Sequence, residues 1–172
     1  MDNQEFTLVV RGPITDQIVD SLHEAGCDDA TIRTSGTLVF ADFDREAPTM
    51  LAALTSAIRQ VQSIGLDVRS IEPSDFVTLS EIAERLGRTR ESVRLLAEGQ
   101  RGSGDFPPAV VRVEDRSRLY RWSQISEWAH LDSVAIEGAL SIAVVNARLS
   151  LGLWDSARAR ELEKEIAESM SA

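Results

Sequence analysis

A chain of 172 residues with 43% hydrophobic and 27% charged residues has ordinary globular composition and the length for one large or two small domains, which excludes a wholly disordered protein. One cysteine, Cys27, excludes an internal disulfide, and with only His23 and His130 beside it a zinc-type protein site is not expected. The net charge of −10 argues against indiscriminate attraction to phosphates, so any nucleic-acid contact has to come from a local departure from that average.

Such a departure exists. Residues 1–75 hold five Arg against thirteen acids, a net −8, and residues 131–172 hold three Arg and one Lys against seven acids, a net −3. Residues 76–130 hold nine Arg against eight acids, a net +1, and form the one stretch of the three that is not acidic. The start, Met1-Asp2-Asn3-Gln4-Glu5, lacks the basic-then-apolar layout of a signal peptide, and no stretch is expected to reach the ~20 apolar residues of a membrane span. A reducing cytoplasm, with association to the nucleoid, is the expected setting, and Arg at seventeen of eighteen basic positions points to a GC-rich bacterial genome.

In chain order, Phe6 to Val10 is a β-branched run ended by Gly12-Pro13. Thr15 caps a helix with apolar Ile18, Val19, Leu22 and Ala25, stopped by Gly26. Ala30 to Arg33 and Thr37 to Phe43 read as strands around Thr34-Ser35-Gly36. Ala47 to Ile64 predicts a helix with a stripe of Met50, Leu51, Leu54, Ile58, Val61 and Ile64, stopped by Gly65, and Leu66 to Ile71 a last strand. The order β-α-β-β-α-β predicts a ferredoxin-like unit over residues 1–73, with helices on one face of a four-stranded sheet and the other face left for water, a ligand or a subunit. Pro73-Ser74-Asp75 marks a boundary.

Thr78 and Glu81 then have capping-box spacing, Ile82, Ala83 and Leu86 make a buried stripe, and Gly87 allows a left-handed turn. Thr89 caps a second helix whose Val93, Leu96 and Ala97 face the first, a minimal helix-turn-helix. Val110 to Val113, a polar turn at Glu114 to Ser117, and Leu119 to Trp122 read as a two-stranded wing with Arg116 and Arg118 at its tip. Ser123 opens a helix with Ile125, Trp128 and Ala129 inward. Beyond residue 130, Val134 to Leu149 is apolar on nearly all sides and needs burial against the protein or a second copy. Ser150 to Leu153 interrupts it, and Trp154 to Met170 follows with Leu162, Ile166 and Met170 as a narrow stripe and Lys164 flanked by Glu161 and Glu168.

The helix "EIAERLG", the Thr89-capped helix after it, "FPPAV" and "RLYRWSQISEWA" together resemble the excisionase/AlpA-like winged helices, relatives of the MerR DNA-binding domain. The resemblance covers residues 76–130, roughly a third of the chain. It implies double-stranded DNA binding with the second helix in the major groove and the wing along adjacent phosphates. Two departures stand out: the connection Gly99 to Asp105 is long, and Leu95 occupies a side of the second helix where a polar group is expected, open to a thymine methyl, a partner protein, or neither. The expected DNA-contacting residues are Thr89, Arg90, Glu91 and Arg94 on that helix, with Arg101, Arg116, Arg118 and Arg121 on phosphates. The alternative for each arginine is a solvated surface charge or an ion pair with Glu84, Glu91 or Glu98.

The α+β chain thus divides into a ferredoxin-like unit (1–73), a winged helix-turn-helix (76–130) and a helical segment (131–172) for oligomerisation or partner binding, with Leu95, Val144, Val145 and Trp154 as interface candidates. The expectation is a transcription regulator, homodimeric because paired half-sites multiply affinity. The rival is a protein-interaction adaptor, or an antitoxin-like or phage-type accessory protein, whose main partner is another protein. Asp28-Asp29 and Asp42-Asp44 read as solvated strand ends, His23 as a surface histidine, and Cys27 lacks a resolving cysteine. Without a catalytic constellation, no enzyme activity, cofactor or membrane partner is expected.

Overall fold

The computed structural model describes residues 2–12, 15–36, 38–113, 117–152, 161 and 164. These form a mixed α+β structure of seven strands and six helices among the described residues. They fall into two compact units. One joins the chain up to Gln4, Glu46–Leu54 and Pro73–Ala143; the other joins Glu5–Arg45, Thr55–Glu72 and the described residues from Val144.

The first six elements are β1 (Asp2–Arg11), α1 (Asp16–Glu24), β2 (Ala30–Ser35), β3 (Leu38–Ala47), α2 (Met50–Ser63) and β4 (Asp67–Glu72). Their strands make one four-stranded sheet in the order β2-β3-β1-β4, with β2 antiparallel to β3 and β4 antiparallel to β1. Strict alternation along β3 buries Val39, Ala41, Phe43, Arg45 and Ala47 while Phe40, Asp42, Asp44 and Glu46 stay outside, so this strand lends one face to a core. In β1 the alternation breaks: Leu8, Val9 and Val10 are all buried. Phe6, Leu8 and Val10 keep one face while Val9 is buried on the other, and a register shift between Val9 and Val10, whose partners are Ser70 and Val68, leaves Arg69 as an extra residue on β4.

The helix expected from Ala47 starts at Met50 instead. Ala47 precedes Pro48, whose ring disfavours helical backbone in the residue before it, so the strand runs on and Thr49 accepts the Ala52 N–H at 3.2 Å. Its buried stripe is Ala53, Leu54, Ala57 and Val61, whereas Leu51 is 46% exposed. Small residues at 53 and 57 allow closer backbone approach than the larger side chains of the expected stripe. Asp29 and Asp42 are not simply solvated strand ends either, because Asp29 pairs with buried Arg45 and Asp42 with Arg33, whereas Asp28 is exposed.

Residues 76–130 contain β5 (Phe76–Val77), α3 (Leu79–Arg85), α4 (Arg90–Ala97), β6 (Val111–Val113), β7 (Ser117–Arg121) and α5 (Trp122–Trp128). The strands pair antiparallel in the order β5-β7-β6. One cluster of Val77, Ile82, Ala83, Val93, Tyr120 and Ile125 joins all three helices to β5 and β7, with Phe106 and Trp122 packed on it. Residues 99–105, long as they are, lead into an anchored end: Phe106 meets the Tyr120 and Trp128 rings edge-on, and the Trp128 indole N–H donates to Asp105 at 3.1 Å.

The last element is α6 (Ser133–Gly152), which continues through Ser150–Gly152 where an interruption was expected. It is far less buried than its composition demands, with Ala139, Ser141 and Ile142 inside but Val134 65% and Val144 64% exposed. Ser133–Ser150, at mean hydropathy 1.2, is long and apolar enough to cross a membrane by length and composition, which corrects the expectation that no stretch is. Asn146 in this helix accepts the Ile71 N–H at 2.7 Å and donates to the Ile71 carbonyl at 3.0 Å. It thereby satisfies two peptide groups of β4, an edge strand among the described residues.

Candidate nucleic-acid interface

The geometry of α3 and α4 follows from their end residues. Thr78 accepts the Glu81 N–H at 3.3 Å while the Glu81 carboxylate accepts the Thr78 N–H at 2.7 Å, a complete capping box. Those bonds hold the Glu81 carboxyl below the usual glutamate range, the backbone donor at Thr78 contributing most. At the other end of α3, the Arg88 N–H reaches the Ala83 carbonyl at 2.8 Å and the Gly87 N–H the Glu84 carbonyl at 3.1 Å. This Schellman closure needs left-handed backbone at Gly87, which has φ 61°. Thr89 then caps α4 by accepting the Ser92 N–H at 3.2 Å. The chain therefore changes direction between two caps only two residues apart. A second Schellman closure, from Gln100 N–H to the Leu95 carbonyl at 2.9 Å, ends α4 after two turns.

A third cap comes from a distant part of the chain. Nothing in the Arg121 side chain caps α5; Asp75, 4% exposed, accepts the Ser123 N–H at 2.8 Å, and its carbonyl accepts the Trp122 N–H at 2.7 Å. Its other oxygen takes the Arg121 guanidinium at 2.9 Å, which lies 4.9 Å from the Phe76 ring centroid. Asp75, read from the sequence as a boundary residue, is the tie between the start of this segment and its last helix. No local pattern reveals it, because its partners are 46 and 48 residues away.

The expected contact residues separate into distinct environments. Arg94 is held by Glu91 at 2.9 and 2.7 Å and by the Glu98 carboxylate on the next turn. Both acids push its pKa above the ordinary arginine range, and Arg94 in return holds Glu91 below the usual glutamate range. Arg121 is committed to Asp75. By contrast Arg90, Arg101 and Arg118 are exposed, and none has a side-chain ion pair or hydrogen bond among the described residues. Arg88, missed by sequence reasoning, shares that state; its place directly after the Gly87 turn was the available signal. Leu95 is half-buried.

Arg116 and Trp154 lie outside the described residues, as do Leu162, Ile166, Glu168 and Met170; Val144 is exposed and Val145 half-buried on α6. Cys27 is 2% exposed, and burial pushes its thiol pKa up, which disfavours the reactive thiolate. Among the described residues no group of three His, Cys, Asp or Glu side chains is placed to hold a metal ion. Comparison with protein-family models, curated proteins and solved structures finds no match to this chain.

Proposed function

We propose that the chain is a sequence-specific regulator of transcription that binds double-stranded DNA through residues 76–130. In this reading the segment is a winged helix-turn-helix of the excisionase/MerR kind, α4 enters the major groove, and the β6–β7 hairpin follows the neighbouring phosphates. The observation that carries it is the set of exposed arginines Arg88, Arg90, Arg101 and Arg118, free of carboxylate partners among the described residues although the whole chain has 28 acids against 18 bases. The exposed start of α4, residues 88–91, supports it too, because the first N–H groups of a helix favour phosphates. The strand order β2-β3-β1-β4 and the element order before it support a ferredoxin-like unit over residues 1–73, assigned to dimerisation, partner binding or ligand sensing. Exposed Val134 and Leu140 support pairing through the 131–172 segment. The protein is read as a cytoplasmic, nucleoid-associated homodimer without enzymatic activity.

Arg94 favours a second reading. Its charge is neutralised by two carboxylates on its own helix, as in an adaptor whose helix pair meets protein rather than phosphate. Salt separates the two. A phosphate-contacting module loses about 0.9 log units of affinity per contact per log unit of salt, and an adaptor shows no duplex binding even at low salt. Replacing Arg90 by Ala is expected to weaken operator binding by about 1–3 kcal/mol if it reads a guanine. Fluorescence anisotropy on a selected genomic site measures this, and unchanged affinity would remove Arg90 from the interface.

A further inference from the structure

Within the unit that holds the sheet, α2, β4 and α6 enclose a groove of about 680 Å³. Ile58, Val68, Val145 and Leu149 give it an apolar wall. Two arginines line it as well, Arg59 from α2 and Arg148 from α6. In the same unit Arg33, Arg45 and Arg69 each pair with an aspartate, namely Asp42, Asp29 and Asp67, while Arg11 is exposed on β1 away from the groove lining. Arg59 and Arg148 have no ion pair or hydrogen bond through their side chains among the described residues. The acid beside them in the groove, Asp67, is already taken by Arg69 at 3.3 Å.

Two exposed guanidinium groups without a carboxylate partner among the described residues, in a part of the chain where residues 1–75 alone carry thirteen acids against five bases, are open to a counter-charge from outside. The surrounding acidity repels an extended polyanion, whereas a single oxyanion can be matched by two forked donors. The volume lies in the range of small-molecule sites, and such sites combine a mostly apolar lining with a few polar groups that orient the ligand. The α6 wall is also fixed in advance, since Asn146, between Val145 and Arg148, is bonded to both peptide groups of Ile71 on β4. A wall set before binding lowers the ordering cost.

We propose that this groove binds a free organic carboxylate with an apolar tail, its headgroup held by Arg59 and Arg148 and its tail along the Ile58–Val68–Val145–Leu149 wall. The site is independent of the DNA reading, and its test uses no DNA. The full chain is titrated calorimetrically with octanoate, octanol and acetate, and then with anionic phospholipid vesicles. The expected result is saturable binding of one octanoate per chain, at least tenfold tighter than octanol or acetate and without vesicle binding. The R59Q/R148Q variant should lose at least tenfold in octanoate affinity at an unchanged melting temperature, because both side chains are exposed. R59K/R148K should recover part of the loss, having the charge without the fork. Equal affinity for octanoate and octanol, unchanged octanoate binding in R59Q/R148Q, or capture by vesicles instead of free octanoate would overturn the assignment. So would absent octanoate binding together with a shift of oligomeric state in R59Q/R148Q by sedimentation, since the groove would then be a contact between copies.

Discussion

Arg45 in the sheet and Arg94 on α4 are both met by carboxylates, yet they sit in opposite surroundings. The Arg45 side chain is 8% exposed and spends its five N–H donors on Asp29 at 2.7 and 2.8 Å, Ser56 at 2.9 Å, Gln60 at 2.8 Å and the Gly26 carbonyl at 3.2 Å. The Arg94 side chain is 39% exposed, and both of its partners belong to its own helix. In low dielectric a charge has to be fully satisfied, so Arg45 ties β3 to the α1–β2 connection and to α2. At the surface, water competes for each bond and i,i+3 or i,i+4 pairs contribute little to stability. The same pairing chemistry is therefore architectural in one place and, in the other, a control on how much positive charge α4 presents.

Breaking the buried case should have the largest effect. Arg45→Ala strands the Asp29 carboxylate in partial burial and removes a donor from Ser56 and Gln60, and a loss of about 3 kcal/mol in urea denaturation is expected. Arg45→Lys should lose less, because the charge stays near Asp29 while the fork is gone. If both variants unfold at the wild-type midpoint, the contrast between the two arginines fails. Asp75 tests whether the α3–α5 segment has a comparable buried tie. Asp75→Ala leaves the Ser123 N–H without its acceptor and Arg121 without its carboxylate, and about 2 kcal/mol should be lost. Hydrogen exchange localises the damage: faster exchange at Ser123 and along α5, with the β1–β4 sheet unaffected, is the expected pattern.

What could be read from the sequence was whatever is encoded within one turn of chain. The Thr78–Glu81 box, the Thr89 cap and the Gly87 turn depend on spacings of three or four residues and on a backbone conformation that one residue type favours. The order of the first six elements followed from periodicity, although Pro48 moved the start of α2 by three residues. Asp29–Arg45, Asp75–Arg121 and Asn146–Ile71 span 16, 46 and 75 residues, and polar ties of that range leave no periodic trace. The capture of Arg94 was a different case. Glu91 and Glu98 were visible at helix-pair spacing, but a pattern that names a recognition helix and one that names an ion pair use the same residues. Only the side-chain geometry separates Arg94 from Arg90.

That separation can be sharpened by freeing Arg94. Replacing Glu91 and Glu98 together by Gln releases its guanidinium without altering the Thr89 cap. In the proposed DNA complex the salt dependence of duplex binding should then steepen by about 0.9, the increment for one added phosphate contact. Because the change also lowers the net negative charge, Glu84→Gln with Glu127→Gln serves as a control of equal charge. Matching slopes in the two double variants would mean that Arg94 does not reach DNA even when free.

The smallest expected effect is the pH dependence of the α3 cap. Glu81 has its pKa lowered in the folded protein, first by the Thr78 backbone N–H and then by the Thr78 hydroxyl. A carboxylate with a depressed folded pKa binds more protons when unfolded, so its contribution is complete above the unfolded value near 4.5 and disappears as pH falls through the folded value. The side chain is exposed, and a contribution of a few tenths of a kcal/mol, about 0.5 at most, is expected. Urea midpoints measured from pH 6 down to pH 3 should therefore converge for wild type and Glu81→Gln, since the amide keeps an acceptor but has no proton to gain. Midpoints that stay apart at pH 3 by as much as at pH 6 would show that the box acts through shape alone, with the Glu81 charge contributing nothing to the entry into α3.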